Sequence, residues 1–141
     1  MYKRTITFKD YDGNERTEDF YFNLSRAEIW RMNYTSEEDF EKKILRMIDE
    51  RDTRKLYKMF EEIVQLSVGK KSVDGRRFVK NDEILSDFME TEAYSELIEW
   101  MLSNADNATK FINAVLPEKK AVDDAPATEP GEVIPADVTV N

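Results

Sequence analysis

Alternating apolar and polar residues predict two β-strands at the start of the chain. Ile6 and Phe8 alternate with polar residues, and so do Phe20, Phe22 and Leu24. A period of two residues is typical of strands with one buried face. A hairpin of two strands is only marginally stable in water. We therefore expect the apolar face of this predicted hairpin, residues 2–24, to pack on helices or on another subunit.

The turn of this hairpin is predicted at Asp12-Gly13-Asn14. A two-residue loop would place the two apolar sets on opposite faces of the hairpin. A three-residue loop, with Tyr11 opposite Glu15, pairs Ile6 with Phe20 and places both sets on one face. We predict the three-residue loop, with Asn14 or Gly13 in the left-handed conformation.

From residue 25 the apolar spacing changes to three and four residues, which predicts about five to six helices. Capping-box patterns at Ser25 and at Thr35-Ser36-Glu37-Glu38 predict where the first two helices begin. Further starts are predicted at Asp52, Asn81, Thr91 and Asn104 or Asp106, with Gly69 ending the third helix and Pro117 the last. The predicted inner faces carry Phe40, Ile44, Met47 and Ile48; Leu56, Phe60, Ile63, Val64 and Ser67; Ile84, Leu85 and Phe88; Tyr94, Leu97, Ile98, Met101 and Leu102; Ala108, Phe111, Ile112, Val115 and Leu116.

These patterns predict a mostly α (α+β) fold. The N-terminal β-hairpin is followed by a compact helical bundle over residues 25–116, and together they form one domain, residues 1–117. Residues 118–141 are rich in Pro, Ala, Asp, Glu and Val and have no helical period, so we predict a disordered acidic tail. Residues 70–80 are predicted to be a basic connector with a turn at Asp74-Gly75.

Composition narrows the possible functions. The chain has no Cys and no His, which removes most zinc sites and most neutral-pH acid–base pairs. Its net charge is −9; residues 117–141 hold six acids and two lysines, a net −4, which leaves −5 for residues 1–116. We expect no nucleic-acid binding, because an acidic body repels phosphates. With no apolar run of about 20 residues and no signal peptide, we expect no membrane association and a place in the cytoplasm.

Three matches to chemical motifs fail, two of them on spacing and one because its partner motifs are missing. The loop from Asp10 lacks the sixth-position Gly and twelfth-position Glu of a calcium loop, so a hairpin turn is favoured. Gly69-Lys70 lacks the earlier Gly of a phosphate-binding loop. Ser67-x-x-Lys70 lacks the partner motifs of the enzymes that use it. We therefore predict no enzyme activity, no cofactor and no metal.

Contact surfaces remain as the candidate functional sites. The connector cations Lys70, Lys71, Arg76, Arg77 and Lys80 depart from the acidic body and could dock an acidic partner or subunit, although a solvated loop is the simpler interpretation. Trp30 and Trp100, with Tyr34 and Tyr57, lie near predicted helix ends or polar faces. They either pack in the core or form interaction hot spots.

Several blocks of the chain, in their order and spacing, resemble the tail assembly chaperones of long-tailed phages, mainly those of Gram-positive hosts. The blocks are YDGNERTEDFYFNLSRAEI at 11–29, IDERDT at 48–53, DGRRF at 74–78, TEAYSEL at 91–97, and 105–117, from Ala105-Asp106 through Phe111-Ile112-Asn113 to Leu116-Pro117. The match therefore extends over nearly all of residues 2–117. The tail after Pro117 departs from it, being longer and more acidic than expected.

The resemblance implies a binding role and no reaction. Such chaperones bind the tape measure protein and keep it soluble until the tail tube polymerises around it. The resemblance also implies self-association, contact with the tail tube protein, a longer form made by ribosomal frameshifting, and absence from the mature virion. The alternative is a structural tail or head–tail connector protein that stays in the virion.

Overall fold

The computed structural model describes residues 1–117; the predicted acidic tail, residues 118–141, lies outside the described residues. The elements are β1 (Tyr2–Lys9), β2 (Glu15–Phe22), α1 (Arg26–Tyr34), α2 (Phe40–Glu50), α3 (Thr53–Ser67), β3 (Val68–Lys71), β4 (Phe78–Val79), α4 (Asp82–Met89), α5 (Glu92–Ser103) and α6 (Ala105–Val115). The predicted fold class, a mostly helical α+β protein with an N-terminal hairpin, is confirmed.

The hairpin loop has three residues, as predicted, but lies one residue earlier in the chain. Asp10 N–H donates to the Asn14 carbonyl (2.8 Å), so the loop is Tyr11-Asp12-Gly13, and Gly13 has the left-handed φ of 86°. The Asp10 carboxylate holds this loop, because its Oδ1 accepts the N–H groups of Asp12 (3.0 Å) and Asn14 (2.9 Å). A side chain that bonds its own backbone two residues on is typical of such turns.

This shift changes the register of the hairpin by two residues. Ile6 lies opposite Glu18, so the predicted pairing of Ile6 with Phe20 is wrong. An even shift leaves every side chain on its predicted face, because side chains alternate with a period of two. Ile6, Phe8 and Phe22 are therefore all buried, under helices of the same chain.

The sheet has two more strands than predicted, in the order β1-β2-β3-β4 and antiparallel throughout. The prediction that Gly69 ends a helix is wrong, because Gly69 lies in β3 opposite Tyr21. A Cβ atom there would lie 2.5 Å from Phe78 Cε2 and 2.6 Å from the Val79 carbonyl oxygen, so the close approach of β4 requires glycine. The predicted turn at Asp74-Gly75 is confirmed, with Gly75 at φ 77°.

Local capping chemistry sets most helix starts. The Ser25 capping box is present, with Ser25 Oγ accepting from Glu28 N–H (3.2 Å) and Glu28 Oε1 accepting from Ser25 N–H (2.8 Å). Asp52 and Asn81 also cap helices, as predicted. The predicted start of α2 is wrong, because Thr35 ends α1 by donating its hydroxyl to the Arg31 carbonyl (2.8 Å).

The observed α2 begins at Phe40, where two side chains accept its free N–H groups. Asp39 Oδ1 accepts from Lys42 N–H (3.1 Å), and Asn33 Oδ1 accepts from Phe40 N–H (2.8 Å). Glu38, which the capping box would require, is instead bound to Arg46. The helix therefore starts four residues later than predicted, with its N-cap at Asp39 and not at Thr35.

The helices cover one face of the sheet and enclose a core rich in phenylalanine. Phe22, Phe88 and Phe111 are fully buried. The centroid of the Phe22 ring lies 5.5 Å from that of Phe88 and 5.3 Å from that of Phe111, and both pairs are edge to face. This geometry is the favourable one for aromatic pairs. Among residues 1–117, none of the helices has the length and apolar character needed to cross a membrane.

Candidate functional site

The β3–β4 hairpin brings four of the five predicted connector cations together. Lys70, Lys71, Arg76 and Arg77 are exposed on this hairpin, around its turn. None of the four forms an ion pair within residues 1–117. They form a basic surface on an acidic body, and their role as a docking site stays a prediction.

Lys80, the fifth cation, faces the interior of the protein. Its Nζ donates to Glu28 Oε1 (2.9 Å), to Glu28 Oε2 (2.7 Å) and to the Leu66 carbonyl (2.7 Å). An ammonium has three donors, and all three are used. Partial burial raises the pKa of Glu28, but the hydrogen bonds from Lys80 and the Ser25 N–H outweigh it and hold that pKa below its usual value. Lys80 therefore ties α1 to the end of α3.

The two tryptophans lie in different surroundings. Trp30 is exposed on α1, and Tyr34, one turn further on, is more exposed still. Trp100 is partly buried, and the Arg4 guanidinium lies over its ring at 3.7 Å from the centroid. Such a cation–π contact favours one orientation of the ring. The structure thus engages Trp100 within its own chain and leaves Trp30 accessible.

An open groove between α3 and α5, with a volume of about 490 Å³, is a candidate binding surface. Tyr94, Ile98 and Leu102, spaced four residues apart, form its floor on α5, and Tyr57 forms its wall on α3. Tyr57 is 39% exposed and Leu102 is 40% exposed. Tyr94 and Leu102 are eight residue steps apart, about 12 Å along the helix, which is the length of about two helical turns.

Polar groups border this groove on both sides. Tyr94 Oη donates to Glu61 Oε2 (3.3 Å), and Ser95, Glu99 and Ser103 form a polar row along α5. Burial and the negative charge of Glu61 raise the pKa of Tyr94, so its hydroxyl stays protonated and remains a donor. The groove offers a narrow apolar strip with polar edges, which suits the apolar stripe of an amphipathic helix.

The sequence did not single out this groove. Tyr94, Ile98 and Leu102 were predicted on the inner face of a helix, and Ile98 is buried as expected. Leu102 is 40% exposed instead. A stripe at four-residue spacing is the same signal for a core face and for a groove floor, so the spacing alone does not separate them.

Comparison with known proteins supports a single family. A family model described as "Phage tail assembly chaperone" matches residues 1–136. No curated protein and no solved structure matched the chain. The matched segment includes the whole described fold, from the hairpin to α6. With its strands, helices and exposed groove all inside that match, the chain belongs to the phage tail assembly chaperone family.

Proposed function

We propose that this chaperone binds apolar helical segments of the tape measure protein in the groove between α3 and α5, and so keeps that protein soluble until the tail tube polymerises around it. The observation that carries the proposal is the open groove lined by Tyr57, Tyr94, Ile98 and Leu102, in which Tyr57 and Leu102 are exposed apolar side chains. A helix that lays its apolar face in a hydrophobic groove is a recurring mode of recognition. Partly exposed tyrosines are well suited to such contacts.

Charge supports the same role. Residues 1–116 carry a net charge of −5, and the whole chain carries −9. A complex of this chaperone with an apolar client acquires that charge, and net charge opposes further association of the complexes. Binding in the groove covers the client's apolar stripe, while the charged faces of the chaperone remain in water.

The proposal includes several features that follow from a binding role. The chain acts without turning over a substrate, works in the host cytoplasm and is absent from the finished virion. It self-associates, contacts the tail tube protein, and has a longer form made by frameshifting. Mass spectrometry of purified virions tests its absence; a stoichiometric amount would support the structural connector instead.

Co-expression with the tape measure protein of the same genome tests the groove directly. We expect the wild-type chaperone to raise the client's soluble fraction and to copurify with it. Leu102→Glu places a carboxylate in the contact, and burial of an unpaired charge is strongly unfavourable. We expect this variant to lose affinity about tenfold or more, the equivalent of at least about 1.4 kcal/mol.

Leu45 supplies the matched control. It is 43% exposed, close to Leu102 at 40%, and lies on α2, outside the groove. We expect Leu45→Glu to bind the client as the wild type does. The groove assignment is wrong if Leu102→Glu retains full binding, or if Leu45→Glu loses as much. Tyr57→Ala gives an independent check, because it shortens the groove wall without adding charge.

A further inference from the structure

The turn of the β3–β4 hairpin is held rigidly by its own side chains. Ser72 N–H donates to the Arg77 carbonyl (2.8 Å), and Arg77 N–H donates to Ser72 Oγ (2.9 Å). Asp74 Oδ1 accepts from Ser72 Oγ (2.7 Å) and from Arg76 N–H (3.1 Å). The one acid of the turn is therefore engaged with the turn itself, and the two arginine side chains project from a fixed backbone.

Arg76 and Arg77 give this turn two positive charges against the one negative charge of Asp74. Lys70 and Lys71 border a cleft that also contains Glu18, Asp19 and Asp87, which lower the local positive potential. Arg76 and Arg77 do not border that cleft, and within residues 1–117 neither forms an ion pair. An anionic partner would therefore find its best complement at the two arginines.

The chain leaves the described fold close to the base of this hairpin. Leu24 N–H donates to the Val115 carbonyl (3.1 Å), and the neighbouring Asn23 N–H donates to the Ser67 carbonyl (2.8 Å). Ser67 is the residue before β3. The end of α6 and the start of β3 are therefore hydrogen-bonded to two adjacent residues, Leu24 and Asn23, so the two ends lie close together.

We propose that the acidic C-terminal segment, residues 121–141, docks on the basic turn of the same chain. This segment has no Lys or Arg, and its acids are Asp123, Asp124, Glu129, Glu132 and Asp137. Charge complementarity and the site where the chain leaves the fold both point to this occupant. The contact is separate from the client groove.

The distances allow it. From Val68 to the turn at Val73 is five residues of extended chain, roughly 17 Å. Asp123 lies six residues beyond Pro117, and six residues span up to about 20 Å. The first acids can therefore reach the turn. The later acids are joined to the fold by a longer stretch of chain, so they can reach it as well. A tether this short gives a local concentration of about millimolar, so a contact with an intrinsic dissociation constant of about 1 mM is half occupied.

A spin label on the full-length chain tests this contact. The chain has no Cys, so Ala127→Cys provides a unique site for a nitroxide between Asp124 and Glu129. We expect the NMR amide signals of Ser72, Val73 and Gly75 to lose most of their intensity. About 1 M NaCl should restore them, because the Debye length falls to about 3 Å.

Two pairs of substitutions separate a specific contact from general attraction. Arg76→Gln with Arg77→Gln should restore the turn signals, because it removes the charge and keeps the backbone hydrogen bonds. Arg54→Gln with Lys55→Gln, an exposed basic pair at the start of α3, should leave the broadening unchanged. Equal broadening at the turn and at α3, or broadening that survives the first pair, overturns the proposal.

A mixed sample identifies the chain that supplies the acids. A spin-labelled chain without ¹⁵N is mixed with a ¹⁵N-labelled chain that lacks the Cys. We expect the turn signals of the ¹⁵N chain to keep their intensity. Their loss would mean that the acidic segment docks on a neighbouring copy and would overturn the same-chain assignment.

Discussion

Replacing Lys80 by Met tests whether the Lys80–Glu28 pair holds α1 on the body. None of the α1 residues is buried, so this helix depends on its cap, on partial burial of Ile29 and Met32, and on Lys80. The ammonium makes three hydrogen bonds, two of them to Glu28. Its loss also leaves the Glu28 carboxylate partly buried without its cation.

The magnitude follows from the exposure of the pair. Hydrogen bonds to charged groups contribute about 1.5–3 kcal/mol when well buried. The side chains of Lys80 and Glu28 are 24% and 29% exposed, so water screens part of that energy. We expect Lys80→Met to lower the free energy of unfolding by about 1–2 kcal/mol and the melting temperature by roughly 4–10 °C. Hydrogen exchange should quicken most in α1, and the buried amides of α5 should quicken by no more than the fall in global stability accounts for.

The effect should also depend on pH. The folded pKa of Glu28 lies below its ordinary value of 4.5, so the pair stabilises the fold above about pH 4.5. That stabilisation is lost as pH falls through the folded pKa. The difference in melting temperature between wild type and Lys80→Met should therefore be largest near pH 7 and should shrink in acid. Protonation of the other carboxylates changes the stability of both proteins alike, so its effect cancels in this difference.

Glu28→Gln completes a double-mutant cycle, in which the two substitutions together should cost less than the sum of their separate effects. A pH-independent difference, a drop below about 2 °C at pH 7, or simple additivity would refute the reasoning. Lys80→Arg is a useful companion, because it keeps the charge and changes the donor geometry.

Three further substitutions test the local structure. Gly69→Ala should lower the free energy of unfolding by about 1–3 kcal/mol in a denaturant melt, because its Cβ would collide with the Val79 carbonyl oxygen; a neutral effect would show that β4 does not approach β3 as described. Ser25→Ala should lower the free energy of unfolding by about 1 kcal/mol, because it removes the capping box of α1. Thr35→Ala leaves the observed caps of α2 intact and should not destabilise the start of that helix. If thermal melts show a larger loss of stability for Thr35→Ala than for Ser25→Ala, the capping box predicted at Thr35 is restored.

Local chemistry in the sequence determined much of this fold. The period of two placed Ile6, Phe8 and Phe22 on one buried face, and the period of three to four placed the core faces of the helices. Ser25 and Asp52 predicted helix starts, since a cap depends on residues within one turn of it. The order and spacing of short blocks also predicted the family, which the match over residues 1–136 confirms.

Tertiary structure decided the features that join distant parts of the chain. Strand β4 is two residues long, too short for an alternating pattern, so only its pairing with β3 makes it part of the sheet. Lys80 meets Glu28 across 52 residues of sequence, and no local signal records that meeting. Leu102 became part of an exposed groove because of where α3 lies beside α5. Helical spacing determines which residues share a face, and only packing decides whether that face is covered.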